Sequence, residues 1–255
     1  MAEKLYTIPV NEAFEQDCEC PVCLMYKNLE EAAIEFTLGP SYMEDDVRIA
    51  TNKLGFCKRH VSMLYGRQNR LGLALMMMSH MDRVNDELKK KADGAAKGKG
   101  FFSKQKEEGL KSFTGKLKDS CFICDRVDGT FERYIATVIY LYDHDDAFVK
   151  KFRASKGFCI EHYSMLFDEA PKILSASKTV DFRNDLNKVF FENMARVRED
   201  LQAFVDKFDY RNSDAPWKTS KDALPRAMTK CNSILDELPE PKSQENPSPS
   251  ESNTQ

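Results

Sequence analysis

The cysteines and histidines of this chain form a pattern that occurs twice. Each copy reads Cys-x-x-Cys, a spacer, and then Gly-Phe-Cys-x-x-His, and 33 residues separate the second and third cysteines in the first copy, against 34 in the second. The first copy comprises Cys20, Cys23, Cys57 and His60, and the second comprises Cys121, Cys124, Cys159 and His162. Three thiolates and one imidazole form a complete tetrahedral ligand set for zinc. The pattern therefore predicts two structural zinc sites per chain.

The spacing inside each ligand pair suits a metal ion. The two cysteines of a Cys-x-x-Cys pair can direct both sulfurs at one ion from a tight turn. In Cys-x-x-His the two side chains share one face of a helical turn. Gly55 and Gly157 can adopt a positive φ, which turns the following cysteine inward. Because a catalytic zinc keeps one position for water, these complete sets predict no catalytic residue.

Other metals and other pairings of the ligands stay open. An iron–sulfur cluster is less favoured because it usually takes four cysteines, and redox use of the Cys-x-x-Cys pairs lacks a thioredoxin-like βαβ context. Since the two spacers are nearly equal, we expect each zinc to take its four ligands from one copy. The internal symmetry also permits an exchange in which Cys20 and Cys23 join Cys159 and His162.

Composition limits the class of protein. The chain has 255 residues, of which 42% are hydrophobic and 31% charged, enough for one large domain or two small ones. The net charge of −3 provides no general attraction to nucleic acid. The longest strongly apolar run, residues 71–78, is too short to span a membrane, and the N-terminal residues lack the features of a secretory signal. Thiols arranged as metal ligands then predict a cytoplasmic protein.

Apolar periodicity predicts a mainly α fold. Apolar residues recur at helical spacing over residues 24–38 in the first copy and over 127–142 in the second. A further helix follows each histidine, and in the first copy it should run from about Val61 to Lys90. Residues 180–210 form another long amphipathic stretch. We expect duplicated helical half-domains, each organised around a Cys₃His zinc site.

The composition also divides the chain into four segments. They are a first helical zinc-binding repeat (1–88), a linker (89–118), a second zinc-binding repeat with C-terminal helices (119–238) and a disordered tail (239–255). The linker holds ten lysines and five glycines, a composition that builds no core and predicts flexibility. Its alternative role is a basic arm whose Phe101, Phe102 and Phe113 stack on single-stranded nucleic acid. A solvated linker is favoured because nothing else in the chain indicates base recognition.

Four residues with reactive side chains have no assigned role. We interpret Cys18 as a spare thiol and Cys231 as a small core residue. His80 follows a cluster of methionines and is expected at the edge of the core. His144 lies among acidic residues that are typical of a helix start rather than of a second kind of metal site.

The tandem motif resembles a family of bacterial proteins of unknown function. Cys-Pro-Val-Cys, a helical spacer and Gly-Phe-Cys-x-x-His carry the resemblance, together with residues 8–15, 68–75, 208–212 and 216–217. The lysine-rich linker and the tail lie outside it. The resemblance implies a bacterial cytoplasmic protein and contributes no activity.

These features predict a zinc-binding protein that serves as a non-catalytic binding or adaptor module for a protein partner. The alternative is a redox sensor, in which oxidation of a Cys-x-x-Cys pair releases zinc. An enzymatic function remains a third alternative, although the chain has no glycine-rich phosphate loop and no hydrolase motif.

Overall fold

The computed structural model describes residues 4–96, 109–212, 214 and 216–233. Within these residues the secondary structure is helical and contains no β-strand, which confirms the predicted mainly α fold. The helices are α1 (Lys4–Glu15), α2 (Pro21–Leu38), α3 (Asp45–Leu54), α4 (Lys58–Gly66), α5 (Arg70–Ala96), α6 (Leu110–Asp119), α7 (Phe122–His144), α8 (Asp146–Ala154), α9 (Ile160–Ile173), α10 (Ala176–Asp206) and α11 (Ala223–Asn232). No helix in this part of the chain combines the length and the apolar composition needed to cross a membrane.

Helices α2 and α7, the first long helix of each copy, pack against each other. Their side-chain contacts run in opposite directions along the two helices: the Tyr26 ring meets Phe131 at 5.1 Å, and Arg126 lies 3.7 Å from the centre of the Phe36 ring. The apolar stripe predicted for α7 is buried, as residue positions 127, 131, 135, 138 and 141 show. The two helices therefore form an antiparallel pair to which the other helices attach.

Two hydrophobic cores surround this helix pair. The first contains a group of phenylalanines with contacts at 4.9–6.2 Å between ring centres, namely Phe14, Phe148, Phe152 and Phe158. It joins α1 and the start of α2 to α7–α10. The second joins the rest of α2 to α3, α4, α5 and the start of α7. Each core thus contains segments of both copies of the motif.

The prediction of one continuous helix from Val61 to Lys90 is wrong, because the chain forms two helices there, α4 and α5. The break is stabilised by Asn69, whose Oδ1 accepts a hydrogen bond from Gly72 N at 2.9 Å and caps α5. Its Nδ2 donates to Leu38 O, the last carbonyl of α2, at 2.7 Å. One side chain thus satisfies a backbone group at the start of one helix and at the end of another.

Parts of two helices lie within the predicted linker of residues 89–118. Helix α5 continues to Ala96, and α6 begins at Leu110. Phe113 is buried, with Lys91 Nζ 5.2 Å from the centre of its ring, so it is not available to stack on a base. Phe101 and Phe102 lie outside the described residues, as does the predicted disordered tail.

We predict that Asn69→Ala lowers the free energy of unfolding by about 1–2 kcal/mol, because it removes the cap of α5 and the partner of Leu38 O. Asn69→Asp keeps the capping oxygen and should lose less. Urea denaturation of the metal-loaded protein measures both. Equal stability of Asn69→Ala and the wild type would contradict the capping role.

Candidate metal centres

The structure brings all eight predicted ligands together in two clusters. Each cluster combines one ligand pair from the first copy with one ligand pair from the second. Cluster I consists of Cys20, Cys23, Cys159 and His162, and cluster II consists of Cys57, His60, Cys121 and Cys124. Within each cluster the four ligand atoms lie within 4.8 Å of one another. The expectation that each site draws on a single copy is wrong, and the exchanged pairing is the one that forms.

Helix lengths explain the exchange. At 1.5 Å per residue, α2 is about 27 Å long and the α3 that follows it is only about 15 Å. If α3 turns back along α2, it ends about 12 Å short of the ligand pair at the start of α2. The start of α7 lies at the end of α3 instead, where Phe122 N donates to Gly55 O at 2.9 Å. Nearly equal spacers in the two copies could not reveal this, since both pairings satisfy them equally.

Every ligand pair occupies the first turn of a helix. The four N-cap residues are Cys20 of α2, Cys57 of α4, Cys121 of α7 and Cys159 of α9. The second ligand of each pair follows three residues later, on the same face. Helix N-termini stabilise negative charge through their free N–H groups and the helix dipole. Two such termini meet at each cluster, and the pKa is lowered for one cysteine in each, Cys159 in cluster I and Cys121 in cluster II.

The distances between the ligand atoms of cluster I are within about 0.5 Å of those in a tetrahedral metal site. The Nδ1 atom of His162 lies 3.5 Å from Cys20 Sγ, 3.2 Å from Cys23 Sγ and 3.1 Å from Cys159 Sγ. The sulfurs of Cys23 and Cys159 are 3.6 Å apart. Metal–ligand distances of about 2.1 Å to nitrogen and about 2.3 Å to sulfur place tetrahedral ligands about 3.6–3.8 Å apart. All four residues of this cluster are buried.

Cluster II has the same arrangement and adds a carboxylate. His60 Nδ1 lies 3.2–3.4 Å from the sulfurs of Cys57, Cys121 and Cys124. On the other side of the ring, His60 Nε2 donates to Glu30 Oε1 at 2.8 Å. A metal-binding histidine commonly donates its second N–H to a carboxylate, which fixes the ring and makes the ligating nitrogen more basic. Glu30 thus supports Nδ1 as the ligating atom of His60.

Electrostatics prepares cluster II for a cation. Burial disfavours the charged form of His60, but hydrogen bonds with Cys121 and Glu30 outweigh it and raise the pKa of His60 to about 10. Burial likewise opposes ionisation of Cys121, yet the hydrogen bond with His60 lowers the pKa of this thiol to about 6. At neutral pH an imidazolium and a thiolate therefore face each other. A bound metal would replace the histidine proton at Nδ1.

The two clusters differ at the position next to the histidine. Glu30 is ten residues after Cys20, and the residue ten after Cys121 is Phe131. Phe131 packs against the His162 ring with 5.5 Å between ring centres, in the place that Glu30 occupies beside His60. Cluster I therefore has a phenyl ring where cluster II has a carboxylate.

A buried lysine of α11 supports the approach to cluster I. In cluster II, Ser120 Oγ donates to Leu54 O at 2.7 Å, which ties the residues before the two ligand pairs together. At cluster I the matching positions are Lys156 and Glu19, and Lys230 Nζ donates to the backbone carbonyls of both. Glu19 has no hydroxyl to make the bond that Ser120 makes, and α11 supplies the donor to Lys156 O instead.

Comparison with known proteins agrees with the tandem motif. The model of the family of unknown function DUF6062 matches residues 1–238. The chain belongs to this family. No curated protein and no solved structure matches the chain. Membership in DUF6062 supports the sequence resemblance and assigns no activity.

The four residues without an assigned role lie outside both clusters. Burial raises the pKa of Cys18 to about 11, so this thiol is neutral. Cys231 is exposed rather than in the core, which corrects the prediction. His80 is half-buried and its Nδ1 lies 2.7 Å from Asn52 O, as expected of a residue at the edge of the core. His144 stacks on Tyr140 just before Asp145 caps α8.

Sequence reasoning missed two residues that support the clusters. Glu30 shares a face of α2 with the buried Ala33, Ile34 and Thr37, so an acid on an apolar stripe was the available signal. Lys230 gave none, because its partners, two backbone carbonyls and the Glu19 carboxylate, are more than 70 residues away in the chain.

We predict that Glu30→Gln weakens metal binding at cluster II about tenfold, because an amide is a poorer partner for His60 Nε2–H than a carboxylate. Competition with a chromophoric chelator should show one of two bound ions weakened and the other unchanged. Glu35→Gln, at an exposed position of the same helix, is the matched control. Weakening of both ions by Glu30→Gln, or of neither, would refute the assignment.

We predict that Lys230→Met destabilises the protein by about 3 kcal/mol or more, since it leaves two carbonyls and the buried Glu19 without this cation. The ion in cluster I should also be released faster than the ion in cluster II. Lys221→Met, at an exposed position just before α11, is the control and should have little effect. Equal release rates for both ions in Lys230→Met would argue against a local role at cluster I.

Proposed function

We propose that the protein is a zinc-binding adaptor in which two structural Cys₃His sites hold a helical scaffold together and a surface away from them binds a protein partner. The arrangement of the clusters supports this proposal. Each offers four protein ligands, and each joins helix N-termini from both copies of the motif. Four protein ligands leave no coordination position for a substrate, as in structural zinc sites.

The ligand set favours zinc over an iron–sulfur cluster. Three cysteines and one histidine at tetrahedral distances suit one zinc ion, whereas the common clusters take four cysteines and enclose several atoms. Each zinc site would contribute roughly 10 kcal/mol or more to folding, on the scale of zinc-finger peptides. That contribution would fix the exchanged arrangement of the helices.

Exposed apolar side chains support a protein-binding role. Leu71, Met78 and Met81 lie on one face of α5, and each is more than half exposed. Their spacing of seven and three residues makes this a continuous helical stripe. Methionines adapt to a partner surface because their side chains are flexible and polarisable. We name these three residues the α5 stripe.

One observation favours redox sensing as the second candidate. In cluster II, Cys57 and Cys124 are partly exposed, whereas all cysteines of cluster I are buried. Two accessible thiolates could be oxidised by peroxide to a disulfide, with reduction of the peroxide to water and loss of the metal. A sensor of this kind would act through cluster II first.

Metal content separates these functions. We predict about two zinc ions per chain after anaerobic purification, with the six cluster cysteines unreactive until a chelator is added. The exposed Cys231 should react at once and serves as the internal standard. An adaptor keeps both ions in dilute peroxide, whereas a sensor loses one ion and recovers it with a thiol reductant. Iron with sulfide in the preparation would overturn the zinc assignment.

A charge-matched pair of variants tests the partner surface. We predict that Met78→Glu with Met81→Glu abolishes capture of the partner from native extract while both ions stay bound. Ser164→Glu with Ser177→Glu adds the same charge at exposed polar positions of α9 and α10, away from α5, and should retain capture. An unchanged set of captured proteins with the methionine variants would exclude the α5 stripe as the docking surface.

A further inference from the structure

Helix α5 is apolar on two opposite faces. Leu73 and Met76 are buried in the second hydrophobic core, which holds the helix against the rest of the protein. The α5 stripe of Leu71, Met78 and Met81 lies on the other side, where it is exposed in the described part of the chain. A helix that packs against a single core needs only one apolar face. The second apolar face of α5 therefore indicates a second packing partner.

The exposed face has the spacing of a coiled coil. From Leu71, steps of three and four residues alternate along the helix as far as Ala92 and give the positions Leu71, Ala74, Met78, Met81, Asn85, Leu88 and Ala92. Leu88 is half-buried and the other six are exposed. This alternation over three heptads is the pattern of a and d positions, beginning with Leu71 at a. We name these seven residues the α5 seam.

The contacts of α5 with its own chain leave the seam accessible. Ser79 accepts a hydrogen bond from Arg48 of α3 at 3.1 Å. His80 Nδ1 and Arg83 Nε lie 2.7 Å and 2.8 Å from the Asn52 carbonyl oxygen, also on α3. In the heptad these three residues of α5 occupy positions b, c and f, which face away from a and d. Helix α3 therefore packs on the side of α5 opposite the seam.

The residues beside the seam suit a parallel pair of identical helices. Leu75, Met77 and Val84 flank it at e and g positions and are partly exposed, which widens its apolar surface. The charged flanking residues Asp82 and Lys89 are at e positions. In a parallel pair each e position faces the g position five residues earlier on the other helix, here Met77 and Val84. At these positions no two like charges face each other.

Asn85 indicates which partner the seam binds. It is a polar residue at an a position, between Met81 and Leu88. In the apolar groove of an unrelated protein its amide would be buried without a hydrogen-bond partner, which is costly. In a parallel pair of identical helices Asn85 meets its own copy, and the two amides bond to each other and fix the register and the dimeric state. Two-fold symmetry provides this match automatically.

We propose that two copies of this chain associate through the α5 seam as a parallel two-stranded coiled coil with the two Asn85 side chains in register. This inference rests on the proposed role of the α5 stripe as a protein-binding surface and names the partner as a second copy. The dimer places its two-fold axis along α5.

Sedimentation velocity of the purified, zinc-loaded, full-length protein tests the association. An interface of three heptads should have a dissociation constant on the order of 10 μM, so a dimer is expected at about 100 μM protein. Asn85→Asp places two like charges opposite each other and should weaken the dimer about tenfold or more. Ser177→Asp, at an exposed position of α10, is the matched control and should leave the dimer intact. A monomeric wild type, or an Asn85→Asp dimer of unchanged stability, would overturn the proposal.

Cross-linking tests the orientation of the two helices. Ala92→Cys, combined with Cys231→Ser to remove the exposed native thiol, puts a thiol at the last a position of the seam. Parallel pairing brings the two substituted positions together, so a short bismaleimide should link the two copies. Lys90→Cys in the same background lies at position f, on the other side of the helix, and should stay unlinked. Absence of linking through Ala92→Cys, or equal linking through both positions, would contradict the parallel pairing.

This proposal and the adaptor function can fail separately. A monomeric wild type that captures a different protein through the α5 stripe would refute self-association and leave the adaptor function standing. A dimer that is disrupted by Asn85→Asp but contains iron with sulfide would support self-association and overturn the zinc assignment.

Discussion

The convergence of four helix N-termini on two Cys₃His clusters is the constraint on which the rest of the structure depends. Each ligand pair is an N-cap cysteine with the residue three positions later, so each cluster needs two helices that begin at the same point in space. Antiparallel packing of α2 and α7 sets these points apart by about ten residues of helix, or about 15 Å. The thiolate charge of each cluster then lies in the favourable field of two helix ends.

The exchange of ligand pairs gives the metal centres a role that two separate sites would lack. A site formed within one copy would stabilise that copy alone. Each centre instead joins a helix start of the first copy to a helix start of the second, and each hydrophobic core also draws on both. The two halves therefore depend on each other for folding, and metal loss at one centre should loosen both.

The two centres have diverged around a common plan. Cluster II keeps the carboxylate of Glu30 on its histidine and the direct bond from Ser120 to Leu54. Cluster I has Phe131 and Glu19 at the matching places and takes Lys230 from α11 instead. The first difference places a phenyl ring instead of a carboxylate against the His162 ring, and the second makes cluster I depend on the C-terminal helix. Two clusters with identical ligand sets thus have different surroundings, and we expect them to differ in how tightly they hold a metal ion.

Much of this arrangement could be predicted from local patterns in the sequence. The ligands, the helical class and the apolar stripe of α7 follow from residue type and spacing, which are local properties. The pairing of the ligands could not, because internal symmetry makes both pairings equally compatible with the spacers. The break at Asn69 was missed because its side chain competes with helix continuation through Leu38, a contact distant in sequence. Lys230 was missed for the same reason.

The most direct test of the exchanged pairing is ¹H–¹¹³Cd correlation spectroscopy of the cadmium-substituted protein, which reports the cysteine side chains bound to each ion. The structure predicts one cadmium coupled to the β protons of Cys20, Cys23 and Cys159, and a second coupled to those of Cys57, Cys121 and Cys124. Correlations from Cys20, Cys23 and Cys57 to a single cadmium would contradict it.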